Sequence, residues 1–164
     1  MYRPMRRKDR AMPPEEAWQL LKTAEYGVLS TAGADGQPYG VPLSFVVVGQ
    51  ALYFHCALQG QKIDNLAHEP RASFCVVGKT QPVYDNSFTT NFESAVACGS
   101  IAKVEEPRER NDALLALCEK YLPQHMDKAP GEIAHSGAVT AVYKMTLDHV
   151  TGKARRPRES KDTD

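Results

Sequence analysis

Apolar positions along the chain change their spacing several times, and each change marks an element. Pro13-Pro14-Glu15-Glu16 opens a helix, with proline in the first turn and acids at the positive end of the dipole. Ala17, Trp18, Leu20, Leu21 and Ala24 then recur at helical spacing and give that helix one buried face, with Trp18 as a core anchor. From Tyr26 the period falls to two. Gly27-Val28-Leu29-Ser30-Thr31 reads as a strand, and Ala34-Asp35-Gly36-Gln37 as an Asp-Gly hairpin turn. A strand of about 39–48 follows, with Tyr39, Val41, Leu43, Phe45 and Val47 on one face. Gly49-Gln50 turns the chain into Leu52-Tyr53-Phe54-His55-Cys56, completing an antiparallel meander.

A short amphipathic helix begins near Lys62 and stops at Glu69-Pro70. Ala72–Val77 is the next strand, 79–91 a polar, aromatic loop, and about 94–104 a longer strand whose Gly99 marks a bulge or close packing. Glu106-Pro107 starts a second long helix that buries Leu114, Leu115, Cys118, Tyr121 and Leu122; residues 123–137 read as irregular. The clearest alternation comes last, with Val139, Ala141, Tyr143, Met145 and Leu147 on one face. This makes six strands and about three helices, a mainly β chain with α additions. Short two-faced antiparallel strands predict a small closed or split barrel rather than an open sheet. The expected layout is a basic arm over 1–12, one domain over 13–152 and a polar tail over 153–164.

Composition narrows the function classes. The 164 residues suit one domain, and 20 basic against 20 acidic residues give no net charge, so nothing global calls for nucleic acid. Arg3, Arg6, Arg7, Lys8 and Arg10 crowd the start and Lys153, Arg155, Arg156, Arg158 and Lys161 the end, without a nucleic-acid reading module. Cys56, Cys75, Cys98 and Cys118 are widely spaced, which argues against a metal cluster or a disulfide framework. No apolar run reaches the roughly 18 residues of a membrane span, and the start lacks a secretory h-region, so the expectation is a cytoplasmic protein without membrane or nucleic-acid partners.

The stretch richest in chemistry runs from Tyr53 to Leu66. A strand ends on His55 and Cys56, a turn carrying Gly60 follows, and Lys62-Ile63 opens a helix. Free backbone N–H groups at a helix start, with a lysine beside them, form a phosphate site. A lysine there works against the helix dipole, so a neighbouring anion accounts for it better than solvent does. His68, His125 and His135 fall at helix ends or in loops and are expected to face solvent; His149 borders Thr151-Gly152-Lys153.

Val41-Pro42-Leu43-Ser44-Phe45, Leu52 to Ala57 with Gly60, Lys62 and Ile63-Asp64, and Arg71 to Val76 together resemble the pyridoxamine 5′-phosphate oxidase-like flavoproteins. Met5-Arg6-Arg7-Lys8, Phe92-Glu93-Ser94-Ala95-Val96 and His149-Val150-Thr151-Gly152-Lys153 are similar to the nitroimidazole-resistance group within them. The resemblance implies a six-stranded antiparallel split β-barrel homodimer with flavin mononucleotide (FMN) in two clefts between subunits. It lays Val41, Pro42, Leu43, Ser44 and Phe45 along the flavin ring, sets His55, Cys56 and Ile63 at the strand end and helix start, and gives Lys62 the phosphate. Phe92, Ser94 and a C-terminal turn with Gly152 and Lys153 complete the implied cofactor set, and His55 is the candidate catalytic residue. Gln61 stands where an Arg-Lys pair is typical and no Arg-x-His motif closes the chain, so pyridoxamine phosphate oxidation itself is not implied. The expected function is FMN-dependent reduction of a small acceptor such as a nitroimidazole. The alternative is a non-catalytic flavin- or haem-binding protein, with haem the less favoured ligand.

Overall fold

The computed structural model describes residues 2–84 and 86–157. Arg158 and Lys161 of the basic C-terminal cluster lie outside that range. Seven strands form a single antiparallel sheet: β1 (Gly27–Ala32), β2 (Pro38–Leu43), β3 (Val46–Val48), β4 (Ala51–Cys56), β5 (Arg71–Tyr84), β6 (Phe88–Lys103) and β7 (Ala141–Arg155). Four helices accompany them: α1 (Pro14–Thr23), α2 (Gln61–His68), α3 (Pro107–Tyr121) and α4 (Ala129–Ser136).

The strand order is β2-β1-β5-β6-β7-β4-β3, so two strands consecutive in sequence occupy opposite edges. Only Ser44 and Phe45 separate them. Three residue steps span at most about 11 Å, so the sheet has to curl until its edges nearly meet. The result is a curled half-barrel. This corrects the sequence-based count of six strands. The stretch 39–48 breaks at Ser44-Phe45, where the chain leaves its pairing with β1 (Gly27↔Leu43) and takes up pairing with β4 (Val46↔Tyr53).

Two more expectations are revised. Of the stretch 79–91, expected to be a loop, residues 79–84 and 88–91 instead form the outer half of a β5–β6 hairpin, paired as far as Tyr84↔Phe88. Their apolar alternation fades because this ribbon projects beyond the core, where both faces meet solvent. Within 123–137, expected to be irregular, α4 buries Ala129 and Ile133, and Pro123–His125 makes one 3₁₀ turn. A helix this short, with Pro130-Gly131 in its first turn, leaves little periodicity to read.

Alternate residues of each strand fill the inside of the curl. Phe45, Phe54 and Phe74 are fully buried there, with the Phe45 and Phe74 rings edge-to-face at 4.6 Å. Complete burial of each such side chain contributes about 1.5–3 kcal/mol. Trp18 packs partly buried against this cluster, as its helical spacing predicts. A second cluster lies outside the sheet, where Tyr53 and Val142 meet Ala113, Leu114 and Leu117 of α3 and Ile133 of α4. At Gly99 a Cβ would lie 1.9 Å from the Thr146 carbonyl oxygen, at the register shift between β6 and β7; bulge and close packing coincide there. Near the start of the chain, Ala11 bridges Lys153 and Met12 donates its N–H to the Gly152 carbonyl at 3.0 Å.

Candidate functional site

The corner between β4 and α2 is built from backbone constraints. Gly60 has φ 137° and ψ 162°, a conformation favouring glycine, and a Cβ there would meet nothing within 4 Å. Its carbonyl accepts from Ile63 N–H (2.8 Å) and Asp64 N–H (3.2 Å). No side chain caps the helix. On the opposite side of α2, buried Asn65 donates to Thr31 Oγ1 at 2.9 Å, which ties the helix to β1.

Around this corner the structure gathers His55, Cys56, Lys62 and Ile63. His55 is exposed at the end of β4, opposite Val142 of β7. Burial of its surroundings holds the imidazole below its usual value of 6.5, so it favours the neutral form. Cys56 points into the curl, partly buried; burial pushes its thiol up, while the nearby Lys62 charge pulls it down. Lys62 is half-buried, and Ile63 packs against the core.

Val41, Pro42 and Leu43 lie on edge strand β2, with Val41 and Leu43 turned towards the core and Pro42 and Ser44 exposed. Phe45 is fixed by Lys120, which the sequence did not single out, and by Tyr121, expected only to lie on the buried side of its helix. Its N–H donates to the Tyr121 hydroxyl (2.9 Å), and its carbonyl lies 3.0 Å from that hydroxyl and 2.9 Å from Lys120 Nζ. Tyr121 Oη also lies 2.6 Å from the Glu25 carbonyl, and Lys120 Nζ donates to Ala24 at 2.8 Å. Burial pushes Lys120 down to about 8, and its ammonium sits 3.9 Å from the Phe45 ring centroid. The end of α3 thereby clamps the β2–β3 crossing to the start of β1.

The remaining candidates form a second group on β6 and β7. Ser94 pairs with Lys153, Ala95 with Gly152 and Phe92 with Arg155, and Lys153 Nζ lies 5.6 Å from the Phe92 ring centroid. Gly152 and Lys153 are inside a strand rather than in the implied turn, because the extended β6 continues to supply backbone partners. Gly152 is buried, and a Cβ on it would meet Ala17 at 2.7 Å and Met12 at 2.9 Å; its place is one of close packing. His149 stacks on Tyr2 at 4.7 Å, while His68, His125 and His135 are exposed as expected.

No hydrogen bond, ion pair or ring contact among those described joins the two groups within one chain. Val142, opposite His55, and Lys153 lie eleven residues apart on β7. On the outside of the sheet, Pro42, Val28, Cys75, Val96 and Thr151 stand in register across five strands, and Val28 and Val96 remain more than a third exposed. Among the described residues no group of histidines, cysteines and acids is arranged to hold a metal, and no helix is long and apolar enough to cross a membrane.

The family model for pyridoxamine 5′-phosphate oxidase matches residues 13–154. Among solved structures, a Bacteroides thetaiotaomicron protein provisionally described as a 5-nitroimidazole antibiotic resistance protein is 21% identical, with 88% of this chain and 86% of that one covered and a TM-score of 0.74. The flavocytochrome Anf3 of Azotobacter vinelandii is 17% identical, covering 94% and 73%, with a TM-score of 0.79. A Mycobacterium smegmatis FAD and heme binding protein is 19% identical, covering 92% and 75%, with a TM-score of 0.75. At these identities the likeness is one of fold. No curated protein matches significantly.

Proposed function

The chain belongs to the pyridoxamine 5′-phosphate oxidase family, and from that premise we propose that it is an FMN-dependent reductase of a small acceptor, a nitroimidazole or a similar nitro compound, working as a homodimer. The observation that carries this reading is the β4–α2 corner: a half-buried lysine beside a helix start with no side-chain cap, and an exposed histidine on the strand that leads into it. These residues fit the cofactor. Lys62 and the first N–H groups of α2 are donors for a phosphate dianion, and the open space at Gly60 leaves its oxygens room. Val41 to Ser44, which lead along edge strand β2 into the Phe45 that the α3 clamp holds, offer an edge of backbone to a flat ring.

The second group enters from another copy of the chain. Eleven residues of β7 separate Lys153 from Val142, the partner of His55, and we read a cofactor that touches both Lys62 and Lys153 as drawing them from different subunits. A two-fold pairing would supply two such sites and cover the apolar row through Val28 and Val96. A bound flavin supplies electrons singly or in pairs. His55 supplies the proton, because a nitro group gathers negative charge as it is reduced and the imidazole is an exposed group at the corner that titrates near neutrality. Lys153 of the second copy would add a positive charge beside the same ligand.

The absorbance spectrum of the freshly purified protein is the first test. Flavin bands support the reading; a Soret band favours the haem-binding alternative, in which exposed His55 would hold the haem iron. The second test reduces the bound flavin anaerobically and follows its reoxidation by a nitroimidazole. In His55→Ala reoxidation should slow about 10²–10⁴-fold, the range for loss of general-acid catalysis, while most FMN binding persists. Reoxidation at the wild-type rate would remove His55 as the donor, and none even in wild type would leave a binder.

A further inference from the structure

Residues 2–11 run beside β7 and are tied to it at both ends. Tyr2 stacks on His149 at 4.7 Å with the rings 5° from parallel, and its hydroxyl donates to Asp148 Oδ2 at 3.2 Å. Ala11 bridges Lys153. Nine residue steps of arm could reach about 30 Å, whereas its two anchor points on β7 are four steps apart, at most about 14 Å. The surplus chain is taken up by a 3₁₀ turn over Lys8–Arg10 and leaves Arg3, Arg6 and Lys8 exposed. We propose that this arm is the docking surface for an acidic protein that carries single electrons and reduces the flavin, an inference that rests on the flavin reading.

Charge sets the sign of the partner. Within 2–11 there are five cations and one acid, on a chain with no net charge. Asp9 is held by Arg7 through two bonds, at 2.8 and 2.5 Å. That leaves Arg3, Arg6, Lys8 and Arg10 without an ion pair among the described residues. Because both ends of the arm are fixed, part of the ordering cost of presenting these charges is met by the fold before a partner arrives.

Other anionic partners fit less well. Single-stranded nucleic acid is gripped by rings on which its bases stack, and the arm's one aromatic ring is already stacked on His149. Stable membrane attachment needs an apolar anchor beside the basic patch; Met5 is half-buried and Tyr2 is engaged, so neither is free to insert. A small anion is enclosed by a cleft, whereas Arg3, Arg6 and Lys8 stand out in solvent. Exposed cations of this kind steer a protein face of opposite charge. The position of the arm supplies the chemistry. Ala11 lies against Lys153, which the flavin reading sets beside the cofactor, so a protein docked here brings its redox centre towards the flavin. Two reduced carriers and two protons from water convert one flavin to its fully reduced form, and two oxidised carriers leave.

The probe is an acidic plant-type two-iron ferredoxin, and the variant carries Arg3→Glu, Arg6→Glu and Lys8→Glu together. Reduced ferredoxin is mixed anaerobically with FMN-loaded protein while bleaching of the flavin is followed. At low ionic strength the variant should be reduced about 10–10³-fold more slowly, the range of electrostatic steering. The wild-type rate should fall steeply with salt and the variant's should not. FMN affinity, thermal midpoint and photoreduction of the bound flavin should match wild type, which reports that the variant folds. Equal rates in the two proteins, a wild-type rate indifferent to salt, or no reduction by ferredoxin would each overturn the assignment. So would arm-dependent binding to phosphatidylserine vesicles or to a single-stranded oligonucleotide that is tighter than binding to ferredoxin. Should wild type bind no FMN, the flavin reading fails by itself, and calorimetric titration with oxidised ferredoxin still decides the docking surface: binding that the variant loses supports it, and no binding refutes it.

Discussion

Removing one hydroxyl should measurably loosen the barrel. In Tyr121→Phe the ring stays and only the oxygen goes, along with its contacts to Phe45 N–H (2.9 Å), the Phe45 carbonyl (3.0 Å) and the Glu25 carbonyl (2.6 Å). A hydroxyl has one proton, so it donates to one of those carbonyls at a time while accepting from the N–H. Lys120 still holds the Phe45 carbonyl, and Glu25 is exposed and recovers water. The uncompensated loss is therefore the N–H of Phe45, a fully buried residue. An orphaned buried donor costs about 1–3 kcal/mol. Taking about 2 kcal/mol, and about 2–4 °C per kcal/mol for a chain of this size, the midpoint of thermal unfolding should fall by about 4–8 °C. The assay is thermal and urea unfolding at one fixed protein concentration, with Tyr26→Phe as the control. Tyr26 is 61% exposed and should shift stability by no more than about 0.5 kcal/mol. Equal, negligible shifts in both variants would refute the idea that the end of α3 fixes the β2–β3 crossing.

Lys62→Ala should weaken FMN by about 1.5–3 kcal/mol and riboflavin, which lacks the phosphate, much less; equal losses in fluorescence titrations would move the phosphate elsewhere. Wild type should run as a dimer at micromolar concentration and bind one FMN per chain. Mixing Lys62→Ala with Lys153→Ala chains should restore one tight site in each mixed dimer, since only sites shared between chains leave one of the two intact; no recovery would place both lysines on the same side of the cofactor. Because burial holds His55 below 6.5, the rate of nitro-group reduction should rise as pH falls through its pKa, and that rise should vanish in His55→Ala. The same shift costs stability as pH drops from 6.5 through the folded value, since the unfolded chain then takes up the proton more readily.

Much of the molecule is local, and what is local was legible in the chain. Period-two and period-3.6 spacings report which side of a strand or helix meets the core, so β1, β4, α1 and α3 could be read directly, as could the Asp-Gly turn after β1. The corner at His55, Gly60 and Lys62 was legible for the same reason: strand end, glycine and helix start lie within eight consecutive residues. Family resemblance added the second group, but not its distance from the first.

Tertiary structure decided the rest, because it depends on where pairing partners fall. Nothing in Leu43-Ser44-Phe45-Val46 announces that two sheet edges are being joined; that follows from β1 lying on one side and β4 on the other. The outer hairpin, over 79–84 and 88–90, is held by backbone pairing with its side chains largely in water, so they carry no alternation to find. Lys120 and Tyr121 acquire their importance from carbonyls 75 to 96 residues away, and Asn65 from a threonine 34 residues away. Spacing within a segment is written by the local backbone, whereas separation across the fold is fixed only when the sheet closes.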